Sequence, residues 1–292
     1  MGLCVKYDYV TGIRKYFEFV KFSHTMFALP FALASMMIAA NGWPGWRVFG
    51  LILTAMVCAR TAAMGFNRIV DRKYDALNPR TAQRHLPAGK IGIVEAWGLV
   101  VMSAMGLIGA AWFINRICLW LSPVALAIVF FYSLTKRFTD FSHFFLGLAL
   151  AVAPVGAWLA VRGKFEWPPV MLAVAVVFWL VGFDIIYATQ DYDADKAQGL
   201  HSLPVRWGIA SSLRFARAAH AAMAAALLGF GLIAGLGLAY YAGLAVIAGC
   251  LVGQHIVARK RDPVSLNLAF FRMNAIVSVV FLAAVVVDVV WR

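Results

Sequence analysis

The chain has 292 residues, of which 63% are hydrophobic and only 13% are charged, and its formal net charge is +13. Because a soluble domain carries about 25% charged residues, this composition excludes a soluble protein and indicates an integral membrane protein. The basic residues fall in short segments between apolar runs, where they orient a chain in the lipid bilayer and attract anionic lipid or phosphate. We therefore expect no nucleic-acid partner, and no feature points to a protein partner.

Nine apolar runs follow one another along the chain, and a helix needs about 20 such residues to span a bilayer. They cover residues 22–40, 48–70, 91–113, 117–135, 144–161, 168–190, 215–236, 239–258 and 268–290. No strand-like alternation and no long linker interrupts them. The sequence predicts an all-α polytopic bundle of about nine transmembrane helices, forming one domain over residues 1–292.

The basic residues also predict the orientation of the chain. Bases are in excess in the segments that share one side with the N-terminus, and such segments face the cytoplasm. The basic N-terminal segment is too long for a signal peptide, and no small-residue cleavage site follows the first run. We expect a retained first helix, with the N-terminus and the loops after the second and sixth runs in the cytoplasm.

Two acidic motifs come at the ends of the second and sixth runs. The first comprises Asn67, Asp71 and Asp75, and the second comprises Tyr187, Asp191 and Asp195. Residues four apart lie on one face of a helix, so each motif presents two carboxylates side by side. Hard cations such as Mg²⁺ prefer oxygen ligands and are held by one or two carboxylates plus substrate phosphates. The two motifs predict a site for a metal-bridged diphosphate at the cytoplasmic mouth of the protein.

Two charged residues lie deeper in the predicted helices. Arg60 precedes Asp71 by 11 residues, about 16 Å of helix, and a buried charge is costly unless it faces a cavity or a partner. Arg60 is either a structural residue that binds helix carbonyls or an anion receptor at the deep end of a cavity. Asp184, two turns before Asp191, could bridge to Arg60, hold a substrate group or accept a proton.

Bases near the motifs could neutralise a diphosphate. They are Arg80, Arg84, Lys136 and Lys196. The alternative is that bases in these loops only set orientation, which is our interpretation of Arg137 and Arg206. Asp193 lies on another face of its helix and is interpreted as a solvated acid.

At these motifs the chain resembles the UbiA family of intramembrane prenyltransferases. The match consists of N-x-x-x-D-x-x-x-D at residues 67–75 and Y-x-x-x-D-x-x-x-D at residues 187–195, with similar flanking sequence at residues 21–32, 78–81, 86–89, 132–137 and 199–204. The resemblance extends to about Gly208. The flanking sequences are most similar to the 4-hydroxybenzoate polyprenyltransferase branch, and also to a sister group in menaquinone synthesis by the futalosine route.

The resemblance implies helices around a central cavity and transfer of a polyprenyl chain from polyprenyl diphosphate to an aromatic acid, most directly 4-hydroxybenzoate in ubiquinone biosynthesis. It also implies a place in a bacterial inner membrane. Mg²⁺ would be held by Asp71, Asp75, Asp191 and Asp195, with Asn67 assisting. The implied substrate-binding residues are Asn67, Arg60, Arg80, Arg84, Lys136, Tyr187, Tyr132 and Lys196. Arg60 would anchor the acceptor carboxylate, and Asp184 would orient the acceptor or take its proton.

Other functions fit less well. Membrane carboxylates also mark the ion pathways of transporters and cation channels, but such a pathway needs polar residues through the full membrane depth. Phospholipid head-group transferases of the CDP-alcohol type need a D-G-x-x-A-R core, which this sequence lacks. Within the resembling family, naphthoate, haem, chlorophyllide and glyceryl-phosphate acceptors are also used.

Overall fold

The computed structural model describes residues 15, 16, 18–20, 25–259 and 262–291, and within them every regular element is a helix. The nine main helices are α1 (Thr25–Ala40), α2 (Trp46–Val70), α3 (Ile93–Ile114), α4 (Arg116–Thr135), α5 (Ser142–Arg162), α6 (Trp167–Ala188), α7 (Leu203–Ile233), α8 (Leu238–Ala258) and α9 (Asn274–Val290). Short helices follow α2 (Arg72–Leu77) and α6 (Tyr192–Ala197), and another (Pro263–Asn267) precedes α9 through a π-helical turn (Leu268–Met273). The predicted start of the first run, residues 22–24, lies outside the described residues.

Length and composition confirm the predicted membrane class. Among the described residues, eight helical segments are long and apolar enough to cross a bilayer, and a shorter apolar helix, Phe27–Ala40, lies within α1. A helix rises about 1.5 Å per residue, so segments of 20 residues or more match the hydrocarbon core of about 30 Å. The chain is an all-α integral membrane protein with about nine apolar helices, as the sequence predicted.

Helix α6 is the most buried of the membrane helices and packs between α5 and α7. At its centre Trp179 is fully buried, with ring centroids of Phe31 and Phe183 at 4.9 and 5.0 Å. The indole N–H of Trp179 donates to Asn274 Oδ1 on α9 at 3.0 Å, so its polar atom is satisfied inside the apolar core. This anchoring fixes the helix that carries Asp184 and leads into the second acidic motif.

Helix α7 begins earlier than the sequence predicted. Hydropathy places its start at residue 215, but the helix begins at Leu203 and bends at Gly208, where φ is 76° and ψ is 159°. The hydroxyl of Ser202 accepts a hydrogen bond from the N–H of Val205, and Pro204 occupies the first turn, which are both N-terminal signals. Hydropathy detects the part that crosses lipid and therefore missed the polar first turns.

Candidate active site at the end of a membrane cavity

Helices α2 to α6 surround a cavity of about 720 Å³ that extends through most of the bundle. Four aspartates and five bases line one end, which we name the polar end; they are Asp71, Asp75, Asp191, Asp195, Arg68, Arg80, Arg84, Lys136 and Arg137. The far end is lined by apolar side chains such as Ile52, Ile114 and Leu121. The cavity therefore combines a charged head region with a long apolar region.

Almost all of the residues that the sequence singled out line this cavity. They are Arg60, Asn67, Asp71, Asp75, Arg80, Arg84, Tyr132, Lys136, Asp184, Tyr187, Asp191 and Asp195. Lys196 does not line it, because its ammonium group lies over the ring of Tyr192, 5.8 Å from the centroid. The structure therefore brings together the two predicted motifs and leaves Lys196 outside the site.

Each acidic motif lies across a break in its helix, whereas the sequence predicted one continuous helix. The first aspartate of each motif is the junction: Asp71 has φ −85° and ψ 2°, and Asp191 has φ −98° and ψ 5°. Asp75 and Asp195 then belong to the short helices that follow. The N–H of Asp75 still donates to the carbonyl of Asp71 at 2.8 Å, so the four-residue spacing keeps one turn of helical geometry.

The carboxylate of Asp191 is bound by residues that follow the first motif. Arg80 donates to both of its oxygens, from Nε to Oδ1 at 2.8 Å and from a terminal nitrogen to Oδ2 at 2.6 Å. Asn78 Nδ2 donates to Oδ1 at 3.2 Å, and Arg80 also donates to the hydroxyl of Tyr187 at 3.0 Å. A bidentate guanidinium–carboxylate pair is strong and directional, so it joins the two motifs into one unit.

The first motif is neutralised by other bases. Arg84 donates to Asp75 Oδ1 at 2.6 Å, and Arg68 lies 3.9 Å from Oδ2 of the same carboxylate. Asn67 Nδ2 donates to Asp71 Oδ2 at 2.9 Å, and Arg137 lies 3.6 Å from Asp71 Oδ1. Arg137, which we interpreted as a loop residue that sets orientation, therefore belongs to the polar end of the cavity.

Whether the motifs suit a divalent cation can be tested on the carboxylate oxygens themselves. Throughout the described ranges, no three metal-ligating side chains already converge on one point. However, Asp75 Oδ2 and Asp195 Oδ2, one in each motif, are buried oxygens that have no hydrogen-bond partner among the described residues. Lys136 is the nearest base to the second of them, at 3.6 Å. Because Mg²⁺ is bound by carboxylate oxygens, the residues present fit a divalent cation.

Burial and neighbouring charges shift the pKa values of several groups at the polar end, among them Asp71 and Lys136. Withdrawal from water and the neighbouring Asp75 carboxylate raise the pKa of Asp71 to about 6, against the opposing effect of nearby bases. Withdrawal from water lowers the pKa of Lys136, but the carboxylates of Asp195, Asp184 and Asp191 outweigh it, so that the net shift is upward. Lys136 therefore carries its positive charge at neutral pH.

Arg60 and Asp184 are not partners of each other. Asp184 Oδ2 lies 2.6 Å from His143 Nδ1, and no ion pair within the described chain joins it to Arg60. Arg60 lines the cavity, and its buried Nε has no hydrogen-bond partner in the part of the chain that the structure describes. A bridge between the two residues, which the sequence left open, is therefore wrong.

Five residues of this region were not predicted as site residues from the sequence. They are Arg68, Asn78, Arg137, His143 and Phe270. Arg68 and Asn78 adjoin the first motif, so their position was a usable signal. The sequence gives no such signal for His143 and Phe270, because each reaches the site only through the packing of distant helices.

Comparisons with known proteins show which proteins this chain resembles. The family model described as the UbiA prenyltransferase family matches residues 28–276. A 4-hydroxybenzoate octaprenyltransferase from Cupriavidus necator is 31% identical over 255 residues, covering 85% of this chain and 87% of the relative. One from Vibrio parahaemolyticus is also 31% identical over 255 residues, covering 86% of this chain and 88% of the relative.

Solved structures show the same fold. The apo structure of a UbiA homologue from Aeropyrum pernix K1 has a TM-score of 0.83 and 31% identity, covering 91% of this chain and 98% of that one. A UbiA homologue from Archaeoglobus fulgidus bound to GPP and Mg²⁺ has a TM-score of 0.71 and 20% identity, covering 94% and 99%. At that identity the second structure supports the fold alone.

Proposed function

Because this chain belongs to the UbiA prenyltransferase family, we propose that it transfers a polyprenyl chain from polyprenyl diphosphate to 4-hydroxybenzoate in a Mg²⁺-dependent reaction. The relatives of 31% identity that carry the name 4-hydroxybenzoate octaprenyltransferase support this acceptor. The observation that supports this proposal most directly is a single cavity with four aspartates and five bases at its polar end and apolar walls beyond. The reaction would serve ubiquinone biosynthesis.

The polar end has the charges that a diphosphate needs. Arg80, Arg84 and Lys136 now neutralise carboxylates of the two motifs, and they lie where they can instead contact phosphate oxygens. Negative charge accumulates on the diphosphate as the allylic C–O bond breaks. Fixed positive charges at that position stabilise the transition state more than the ground state, which is the condition for catalysis.

Asp71, Asp75, Asp191 and Asp195 are the residues that would hold Mg²⁺, with Asn67 orienting Asp71 through its hydrogen bond of 2.9 Å. Bound there, the metal ion would supply Lewis-acid neutralisation of the diphosphate. Asp75 and Asp195 each have a buried oxygen that accepts no hydrogen bond from the described residues, which supports this assignment.

The apolar part of the cavity suits the polyprenyl chain. Ile52 and Met56 of α2 line it together with Leu107 of α3 and Ile128 of α4. These side chains offer no hydrogen-bonding group and exclude water. A dry cavity protects an allylic carbocation from capture by water before the aromatic ring reaches it.

Arg60 is the proposed anchor for the acceptor. Its guanidinium lies deeper along α2 than the acidic motif, and Nε has no hydrogen-bond partner in the described part of the protein. A carboxylate that binds this desolvated guanidinium makes a strong and directional contact. Tyr132 and Tyr187 line the same cavity and would contact the aromatic ring.

Two other functions remain to be compared with this one. An aromatic acid or naphthoate acceptor of menaquinone biosynthesis would use the same chemistry, and Arg60 would bind its carboxylate equally well. A transporter or cation channel needs polar groups through the membrane, whereas the far end of this cavity is lined by residues such as Ile114 and Leu121. The geometry therefore favours a prenyltransferase over a conducting pathway.

The proposed placement in the membrane rests on the distribution of basic residues along the chain. We propose that the protein resides in the bacterial inner membrane, with its N-terminus and the polar end of the cavity on the cytoplasmic side. The excess of bases in the loops on that side supports this orientation. Substrates would then be polyprenyl diphosphate in the bilayer and a soluble aromatic acid from the cytoplasm.

The test is product formation by the purified protein in lipid with Mg²⁺ and a polyprenyl diphosphate. The acceptors are 4-hydroxybenzoate and a panel of other aromatic acids, and prenylated products are identified by mass. We expect product with 4-hydroxybenzoate and its loss when the metal is chelated. Product with another acid only would assign the protein to another biosynthetic pathway. No product with any acid would contradict the proposal.

A further inference from the structure

Asp184 differs from the other acids of the cavity in its partner. Five aspartates line the cavity, and Asp71, Asp75, Asp191 and Asp195 each have an Arg or Lys neighbour within 4 Å. In the part of the chain that is described, Asp184 has no such neighbour and is paired with His143. Its carboxylate is 19% exposed, toward the cavity that it lines, whereas His143 is fully buried.

The proton on His143 can be assigned from its surroundings. Nδ1 lies 2.6 Å from Oδ2 of Asp184, and an ionised carboxylate only accepts hydrogen bonds, so Nδ1 carries the hydrogen. Nε2 is buried and has no hydrogen-bond partner among the described residues. A second N–H at that position would be an unsatisfied buried donor, which is costly. Nδ1 is therefore the nitrogen that donates to Asp184.

The proposed reaction needs a base in this cavity. The allylic C–O bond breaks and its electron pair leaves with the diphosphate, while a ring carbon of the acceptor forms the new C–C bond. That carbon then loses its hydrogen as a proton, and the C–H electron pair restores the aromatic ring. The four motif aspartates are engaged with bases and assigned to the metal ion, which leaves Asp184 free to accept the proton.

We propose that Asp184 is the base that takes the ring proton and that His143 is its positioning residue. The inference rests on the proposed function. The proton goes to the carboxylate oxygen that does not bind His143, and the Nδ1–H bond holds the carboxylate toward the cavity before and after the transfer.

The experiment compares ordinary 4-hydroxybenzoate with the same acid deuterated at both ring carbons beside the hydroxyl. Single-turnover rates are measured for the unaltered protein, Asp184→Asn, His143→Leu and His143→Asn. In the unaltered protein we expect equal rates with both acids, because bond breaking at the diphosphate precedes a fast proton loss. Asp184→Asn should lower the rate about 100-fold, and the deuterated acid should now react more slowly.

The two His143 variants separate positioning from packing. His143→Leu fills a similar volume without a donor, and we expect a rate loss of about 10-fold to 100-fold, as for a lost hydrogen bond to a charged group, together with an isotope effect. His143→Asn can place an amide N–H near the position of Nδ1 and should lose less. Metal-dependent binding of the prenyl diphosphate by each variant verifies that the site is folded.

Four results would overturn the inference. Full activity of Asp184→Asn would exclude it as the base. If the His143 variants are slow but have the same rate with ordinary and deuterated acid, His143 acts only by packing. A rate for His143→Asn no higher than that for His143→Leu would show the same. No product from the unaltered protein would overturn the proposed function and this inference together, so the two failures are distinguishable.

Discussion

Arg80 holds both carboxylate oxygens of Asp191, at 2.8 and 2.6 Å, across a separation of 111 residues in the chain. This contact joins the loop after the first acidic motif to the second motif. It means that the two motifs, which the sequence shows only as similar patterns, form one site. It also places a guanidinium beside a predicted metal ligand, where it can serve the diphosphate.

Arg80→Lys tests this contact. The substitution keeps the charge but cannot reproduce two parallel hydrogen bonds, so we expect the affinity for polyprenyl diphosphate to fall about 10-fold or more. Equilibrium binding of labelled polyprenyl diphosphate in the presence of Mg²⁺ measures this affinity. Arg72→Lys is the matched control, because Arg72 is exposed and does not line the cavity. Equal losses in both variants would contradict the role of Arg80.

Arg60→Leu tests the acceptor site. We expect the apparent KM for 4-hydroxybenzoate to rise about 10-fold to 100-fold, because a desolvated charge-assisted contact with its carboxylate is lost. Binding of the prenyl diphosphate should change little, since the motif aspartates and their bases are intact. Steady-state rates over a range of acceptor concentrations give the first quantity and direct binding gives the second. Loss of donor binding with an unchanged KM would contradict the assignment.

Gly182→Ala tests the packing that positions α6. A Cβ atom at Gly182 would overlap Cδ2 of His220, so the ring or the helix must move. We expect destabilisation of about 1–3 kcal/mol, as for overpacking in a core. Thermal unfolding in detergent measures it, and Gly98→Ala, where nothing lies within 4 Å of the new atom, is the control. An unchanged unfolding temperature for Gly182→Ala would contradict this expectation and show that α7, which carries His220, moves aside without a loss of stability.

Much of the fold could be predicted because each helix that crosses lipid must be apolar along its length. The limits of this signal are visible in α7, whose first polar turns from Leu203 onwards are helical but outside the predicted run. The break at Asp71 was also invisible, since a spacing of four residues suits both a continuous helix and two helices joined by one turn.

The candidate site could be predicted from the sequence because charged residues are rare in apolar runs. An aspartate or arginine in an apolar run is conspicuous, and most of the residues identified in this way line the cavity. Partners were harder to identify. The sequence left open whether Asp184 pairs with Arg60, and in the structure it pairs with His143, which is 41 residues away in sequence and belongs to α5. Arg137 contacts Asp71, although loop bases near membranes usually reflect orientation alone.

The central claim is that the acidic motifs hold the metal ion that binds the diphosphate. Asp195 and Asp193 allow a direct comparison, because both belong to the short helix Tyr192–Ala197, but only Asp195 is buried at the cavity. The measurement is Mg²⁺-dependent binding of labelled polyprenyl diphosphate by Asp195→Asn and Asp193→Asn. We predict a loss of about 100-fold or more in metal-dependent affinity for Asp195→Asn and wild-type binding for Asp193→Asn. Unchanged, metal-dependent binding by Asp195→Asn would contradict the claim.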